Sequence, residues 1–85
     1  MRRAAVSITS NIAEGFGRQT YKEKVQFYYQ AQGSLTELKN QLLVAKDINY
    51  LNVENFSKII SQANITHRIL QGLIKKSKTF INHKS

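Results

Sequence analysis

The sequence predicts an all-α protein, an up-and-down antiparallel bundle with three helices in this chain. Three observations support this prediction. The 85 residues contain no Pro, so nothing forces a kink in a long helix. Apolar residues recur three and four positions apart in three successive segments, which is the period of a helix face. No segment alternates apolar and polar residues as a half-buried strand does.

The first predicted helix covers about residues 2–15. Its apolar face is made largely of small side chains, which let a neighbouring helix approach closely: Ala4, Ala5, Ile8, Ile12 and Phe16. Gly15 and Gly17 bracket Phe16 and indicate a break in the chain. A phosphate-binding loop is disfavoured for these glycines, because no strand precedes them and no Lys-Ser/Thr pair follows.

The second predicted helix covers about residues 20–47, a length of about 40 Å at 1.5 Å per residue. Thr20 and Glu23 have the spacing of a capping box, which favours a helix start at this point. Its apolar stripe has a period near 3.5, which indicates packing at a shallow angle. The stripe comprises Tyr21, Tyr28, Ala31, Leu35, Leu38, Leu42 and Ala45.

A third helix is predicted over about residues 53–80, and together the helices form one domain of residues 1–85. The connection at 47–52 is short, so helices two and three should be antiparallel neighbours, with Asn52 or its neighbour as the cap. The tail, residues 82–85, is polar and should be frayed. The apolar stripe of the third helix contains Phe56, Ile59, Ile60, Ala63, Ile69, Leu70, Leu73, Ile74, Phe80 and Ile81.

The first helix is too short to cover the other two along their length. It also lacks a start signal, because Arg2 and Arg3 stand where the helix dipole favours acidic residues. We therefore expect either an additional helix before residue 1 in the parent protein or another chain in that place. Both cases predict self-association through apolar surface left open on the long helices.

Composition excludes several classes of function. There is no Cys, so disulfides, thiolate metal sites and thiol nucleophiles are excluded. The longest apolar run is residues 42–45, far short of the ~20 residues of a membrane span. The start of the chain resembles a presequence, but polar residues interrupt its apolar stretch, so we expect a cytoplasmic protein.

Neither the histidines nor the carboxylates suggest a catalytic or metal site. His67 and His83 stand alone, whereas a metal needs several converging ligands. The carboxylates form no acid–base pair or nucleophile–base pair with a recognisable spacing. We expect no enzyme activity, no cofactor and no small-molecule substrate.

The basic residues are the most informative feature of the surface. Thirteen Lys and Arg against five Asp and Glu give a net charge of +8, and no acid follows Glu54. In an up-down-up arrangement one end of the bundle collects a basic pole, a candidate contact for RNA or another anion: Arg18, Lys22, Lys24, Lys75, Lys76, Lys78 and Lys84. Tyr21 could stack on a base nearby. The alternative is that these lysines complement helix dipoles and keep the protein soluble.

Three consecutive aromatic residues point around much of the second helix. Phe27, Tyr28 and Tyr29 cannot all lie in one core stripe, so at least one must lie outside it. An interface between subunits is one explanation, since aromatics are enriched there. The alternative is a tyrosine whose hydroxyl reaches water.

Two stretches resemble the signatures of a known family. They are residues 2–8 (RRAAVSI) with 10–18 (SNIAEGFGR), and residues 33–38 (GSLTEL) followed by Gln41 and Leu42. The chain resembles the four-helix-bundle proteins encoded by intervening sequences of 23S ribosomal RNA genes. It departs from them at the front, because members carry a further N-terminal helix.

The resemblance implies an up-and-down bundle, and several members are similar to ring-shaped homopentamers. A related branch, the accessory protein of diversity-generating retroelements, binds a reverse transcriptase and nucleic acid with a basic surface. The polar residues of the signatures are Asn11, Glu14, Arg18 and Glu37. They could form a partner-contacting patch, or they could be structural, with Glu14 pairing with Arg18 and Asn11 satisfying backbone groups.

Two functional hypotheses remain. The first is a self-associating helical module whose basic surface binds RNA or a nucleoprotein. The second is a purely structural module for protein–protein interaction, in which the charge serves solubility.

Overall fold

The computed structural model describes the backbone of residues 2–84 and the side chains of residues 2–81. It contains three helices, α1 (Arg2–Gly17), α2 (Tyr21–Asp47) and α3 (Val53–Lys84). No strand occurs in residues 2–84, so the predicted all-α class is confirmed. α3 runs to Lys84, beyond the predicted end near residue 80, and residue 85 of the predicted frayed tail lies outside the described residues.

The start of α2 confirms Thr20 as the predicted N-cap and shows Glu23 reaching back to it. The hydroxyl of Thr20 accepts a hydrogen bond from the backbone N–H of Glu23 at 3.2 Å. The same hydroxyl donates to Oε2 of Glu23 at 3.0 Å, so the carboxylate reaches the side chain of Thr20. The first contact satisfies a helix N–H that would otherwise lack a partner, and it fixes the point where α2 begins.

A tight turn joins α2 to α3. Asn49 has a φ of 62°, a left-handed conformation that Asn tolerates better than most residues. The backbone N–H groups of Tyr50 and Leu51 donate to the carbonyl of Ala45 at 2.8 and 3.1 Å. Asn52 then caps α3, since its Oδ1 accepts from the N–H of Asn55 at 2.8 Å. The chain therefore reverses within a few residues, as predicted.

Helix α2 is the centre of the arrangement, with α1 and α3 antiparallel to it on two flanks. Each outer helix packs on α2, but no Cα of α1 lies within 8 Å of a Cα of α3 in the described part of the chain. The Cα trace accordingly measures 50 × 19 × 14 Å, an elongated and thin shape. The predicted up-and-down order is present, without a closed three-helix core.

The core lies along α2 where it meets both outer helices. Its buried residues are Ile8, Tyr28, Ala31, Leu35, Ala63, Leu70 and Ile74, with Ile12, Leu38 and Leu73 packed against them. The predicted stripe of α2 is thus largely buried. The stripe of α3 is wider than the surface that α2 covers, so Ile59, Ile69 and Phe80 remain exposed.

Candidate nucleic-acid interface

The two signature stretches meet across the contact between α1 and α2. The hydroxyls of Ser7 and Ser34 lie 2.8 Å apart in a hydrogen bond between the helices. Asn11 Nδ2 donates to the carbonyl of Ser7 at 2.8 Å and to its hydroxyl at 3.2 Å. Asn11 therefore satisfies a backbone carbonyl of its own helix, the kind of contact that the structural alternative expected.

The remaining signature residues are more exposed. Arg18 donates to Glu14 at 3.0 Å, as the structural alternative expected. Glu37 accepts a long hydrogen bond from Gln41 Nε2 at 3.4 Å. Glu37 and Gln41 also line a small polar cavity of about 290 Å³ at the start of α1. Gln41 Oε1 is buried there and has no partner in the described part of the chain.

Two residues of the predicted basic pole are engaged within the chain. Lys24 Nζ donates to the carbonyls of Gly15 and Phe16 at 3.1 and 2.9 Å, so it caps the C-terminus of α1. Arg18, besides its pair with Glu14, lies with its Cζ 4.8 Å from the ring centroid of Phe27. The contact of Lys24 with the end of α1 and the contact of Arg18 with Phe27 are structural roles that the sequence did not predict.

The other cations of the pole are exposed. Lys78 Nζ lies 5.1 Å from the ring centroid of Tyr29. For the side-chain ammonium groups of Lys22, Lys75 and Lys76, residues 2–81 supply no hydrogen-bonding or ion-pair partner. Lys84 belongs to the predicted pole, but its side chain lies outside the described residues. The free positive charge therefore resides mainly on the second half of α3.

The structure distributes the predicted aromatic residues over three environments. Tyr28 is 2% exposed and belongs to the core of this chain, so it does not lie on a surface available to a second subunit. Phe27 is half-buried, and Tyr29 is 42% exposed. Tyr21, predicted to stack on a base, stacks on Phe80 with ring centroids 4.7 Å apart.

A groove runs between α2 and α3 beside the exposed tyrosine. We call it the α2–α3 groove; it has a volume of about 350 Å³ and is lined by Tyr29, Gln32, Gln71, Ile74, Lys75 and Lys78. None of these lining residues is acidic. The groove thus combines an aromatic ring, two amides and two cations, which is a set suited to nucleic acid.

A polar cluster continues the groove along α2. Lys39 Nζ lies 3.0 Å from Nδ1 of His67, and Gln32 Nε2 lies 3.4 Å from Nε2 of the same ring. His67 is therefore a half-buried residue whose ring links α3 to α2. In the described residues, no three His, Cys, Asp or Glu side chains come close enough to hold a metal ion.

On the other side of α2 the two outer helices leave an apolar cleft. We call it the open cleft; it is lined by Ala5, Ile8, Leu35, Leu38, Ile59, Gln62, Ala63 and Thr66. Further along the same side of α3, Ile69 and Phe80 are exposed. This is the uncovered apolar surface that the short first helix predicts.

Among the described residues, none of the helices combines the length and apolarity that a bilayer span requires.

Comparison with known proteins places the chain in a family. The family model of the 23S rRNA-intervening sequence protein matches residues 1–72. The chain belongs to this family. No curated protein matches it. Both signature stretches fall inside the matched region, whereas Lys75 and Lys78 of the α2–α3 groove lie beyond it.

Sequence reasoning missed much of the α2–α3 groove in this family member. Gln32, Lys39, His67 and Gln71 were not grouped with the basic residues, because the prediction considered ends of the bundle rather than its sides. A signal was present: Arg68, Gln71, Lys75 and Lys78 are spaced by three, four and three residues, which places them on one side of α3.

Proposed function

We propose that this member of the 23S rRNA-intervening sequence protein family is a non-enzymatic helical module that self-associates and binds RNA through its basic surface. The observation that carries the proposal is the separation of two kinds of surface on α3. One side of α3 is polar and basic and borders the α2–α3 groove. The other side is apolar and borders the open cleft.

The open cleft supports self-association. Ile59, Ile69 and Phe80 are exposed by 37%, 56% and 37%, although they belong to the apolar stripe of α3. Burying the exposed part of one of these side chains in an interface would stabilise the assembly by roughly 1 kcal/mol, because about half of its apolar surface is still accessible to water. A second copy that covers several of them at once would gain enough to associate at moderate concentration.

The charge distribution supports RNA as the partner of the basic surface. Six Lys and Arg residues and no acidic residue follow Glu54. No acidic side chain in this part of the sequence therefore offsets the positive electrostatic potential of α3. Binding of a polyanion would release its condensed counterions, which is the usual source of affinity for a basic surface of this kind. The family description refers to 23S rRNA, which makes RNA the first nucleic acid to test.

The test for RNA is an anisotropy titration of a labelled single-stranded RNA over a range of salt concentrations. We expect the logarithm of the binding constant to fall linearly with the logarithm of salt, by about 0.7 per phosphate contacted. The same titration with unlabelled poly-glutamate as competitor controls for non-specific attraction of any polyanion. Absence of binding at the lowest salt would reject RNA binding.

The purely structural alternative is favoured by a different observation. Arg18, Lys24 and Lys46 all have contacts within the chain, with a carboxylate, helix carbonyls and an aromatic ring respectively. Such a protein would associate with itself but would not bind RNA. Sedimentation equilibrium over a wide concentration range tests association, and a monomer at the highest concentration would reject both forms of self-association.

A further inference from the structure

We propose that the α2–α3 groove is the site at which this protein binds single-stranded RNA, with a base stacked on Tyr29 and phosphates on Lys75 and Lys78. This inference rests on the proposed RNA-binding function and assigns it to one place and one class of ligand. The family match does not supply it, since Lys75 and Lys78 lie beyond residue 72.

Tyr29 offers the stacking surface. It is 42% exposed and lies in the groove, whereas the ring of Tyr21 is stacked on Phe80 and the ring of Tyr28 is buried. Every base has a π-face, so an exposed ring binds single strands with little dependence on sequence. Among these three tyrosines, Tyr29 is the one whose ring is both exposed and next to exposed cations.

Lys78 lies over the ring of Tyr29 when no ligand is bound, with Nζ 5.1 Å from the centroid. An exposed cation–π contact favours the ammonium group on the ring over the ammonium group in water by roughly two- to fivefold. Stacking of a base on the ring favours binding by roughly fivefold to more than a hundredfold. A base can therefore take the place of the ammonium group. Lys78 then remains beside the base, where its ammonium group is in reach of the nucleotide's own phosphate.

The remaining residues of the groove fit a nucleotide chain. Lys75 is one turn of α3 before Lys78 and has no partner in residues 2–81, so its charge is available to a second phosphate. Gln32 and Gln71 provide amide donors and acceptors from the two sides of the groove, suited to base edges. The polar surface of α2 continues from Tyr29 in the groove to Lys39 in the cluster around His67. These two residues are about 15 Å apart along the helix axis, enough for more than one nucleotide.

A single strand fits this site better than a duplex does. In an A-form duplex the bases are stacked on each other and cannot lie on Tyr29, and recognition occurs through shape and the shallow minor groove. An acidic protein would use Lys75 and Lys78 but would gain nothing particular from an exposed ring and paired amides. The experiments below distinguish single-stranded RNA from a duplex and from an acidic protein.

The first experiment compares two charge-matched double variants. Lys75→Gln with Lys78→Gln removes both groove cations, and Arg2→Gln with Lys58→Gln removes the same charge from exposed positions outside both the groove and the predicted basic pole. With labelled U12 RNA we expect the groove variant to bind at least tenfold more weakly and with a salt slope shallower by about 1.4, for two lost phosphate contacts. The control variant should bind within about threefold of wild type.

The second experiment uses the absence of Trp from the chain. Tyr29→Trp introduces a single reporter whose emission is quenched when a base stacks on it. Tyr50→Trp places the same reporter at an 80% exposed position in the turn after α2, beyond the end of a helix that extends about 27 Å from Tyr29 to Asp47. U12 should quench the first reporter and leave the second unchanged. Tyr29→Ala should weaken binding by about fivefold or more, and Tyr29→Phe should restore it.

The outcomes distinguish this inference from the proposed function. If U12 binds but both double variants lose the same affinity and Tyr29→Trp is not quenched, RNA binding stands and the groove assignment is wrong. Equal affinity for the U12·A12 duplex, insensitive to Tyr29→Ala, overturns the single-strand assignment. Poly-glutamate that competes as well as U12 overturns it in favour of an acidic protein. No binding of any RNA at low salt rejects the function and the inference together.

Discussion

Gly15 lies directly against the ring of Tyr28. A Cβ placed on residue 15 would be 2.5 Å from Cε1 and 3.0 Å from Cδ1 of that ring. Gly15 is buried although it is near the end of α1, and Phe16 meets the same ring edge-on with centroids 6.0 Å apart. The first family signature thus includes the point at which the backbone of α1 approaches a large side chain of α2.

The first prediction is that Gly15→Ala destabilises the protein by about 1–3 kcal/mol. An added methyl group gains up to about 1 kcal/mol of helix propensity, but it must displace a ring that is almost fully buried, and overpacking in a core costs more than that gain. Urea denaturation followed by circular dichroism measures the change.

Gly33→Ala is the matched control. Residue 33 is exposed in the interior of α2, and a Cβ there meets nothing within 4 Å. This variant should be more stable than wild type by about 0.5–1 kcal/mol. If both variants are stabilised equally, the contact between Gly15 and Tyr28 does not require a glycine.

The second prediction concerns Lys24, whose Nζ donates to the carbonyls of Gly15 and Phe16. Lys24→Met keeps the apolar stem but leaves these carbonyls without their cap, and should reduce the free energy of unfolding by about 1 kcal/mol. Lys22→Met removes the same charge from an exposed neighbour and should change stability by less than about 0.5 kcal/mol. Amide hydrogen exchange should be faster at the end of α1 in Lys24→Met alone.

The order and boundaries of the helices could be predicted because local signals determine them. Thr20 with Glu23 and Asn52 with the N–H of Asn55 act within one helical turn, so their function is readable from spacing. What spacing did not show is that α2 separates α1 from α3. That arrangement depends on which sides of three stripes face one another, a relation between segments distant in sequence.

The candidate site was predicted less well for the same reason. Lys75, Lys76 and Lys78, which the sequence assigned to a basic pole, are exposed on α3. The sequence could not indicate that Lys24 would cap α1, since that contact depends on where a neighbouring helix ends. Nor could it show that Tyr29, rather than Tyr21, has an exposed ring beside the lysines, because the stacking of Tyr21 on Phe80 joins residues at opposite ends of the chain.

The third prediction is an alkaline loss of stability that depends on Tyr28. Burial raises the pKa of the Tyr28 hydroxyl above its ordinary value of 10.0, because the ionised form is poorly solvated there. The unfolded chain therefore loses this proton at lower pH than the folded protein does. The contribution is fully present below pH 10.0 and is lost as the pH rises through the higher pKa of the folded state.

Melting temperatures measured across the alkaline range test this linkage. Tyr28→Phe should show a shallower decline above pH 10.0 than wild type. Tyr50→Phe, at an 80% exposed position, should follow the wild-type curve. Parallel curves for all three proteins would contradict the assignment to Tyr28.

The fourth prediction is that Ile69→Lys weakens self-association without unfolding the chain. Ile69 is 56% exposed on the apolar side of α3, so a lysine there finds water in the monomer and should change its stability by less than about 0.5 kcal/mol. In an assembly that covers this side, the ammonium group of the new lysine would be buried without a partner. This would weaken association by several kcal/mol.

Val6→Lys is the control for this prediction, because Val6 is 57% exposed on the side of α1 that faces away from the open cleft. It adds the same charge at the same exposure. Sedimentation equilibrium should therefore show a shift toward monomer for Ile69→Lys and the wild-type distribution for Val6→Lys. An equal shift in both variants would attribute the effect to net charge, and the open cleft would then not be the surface through which copies of the chain associate.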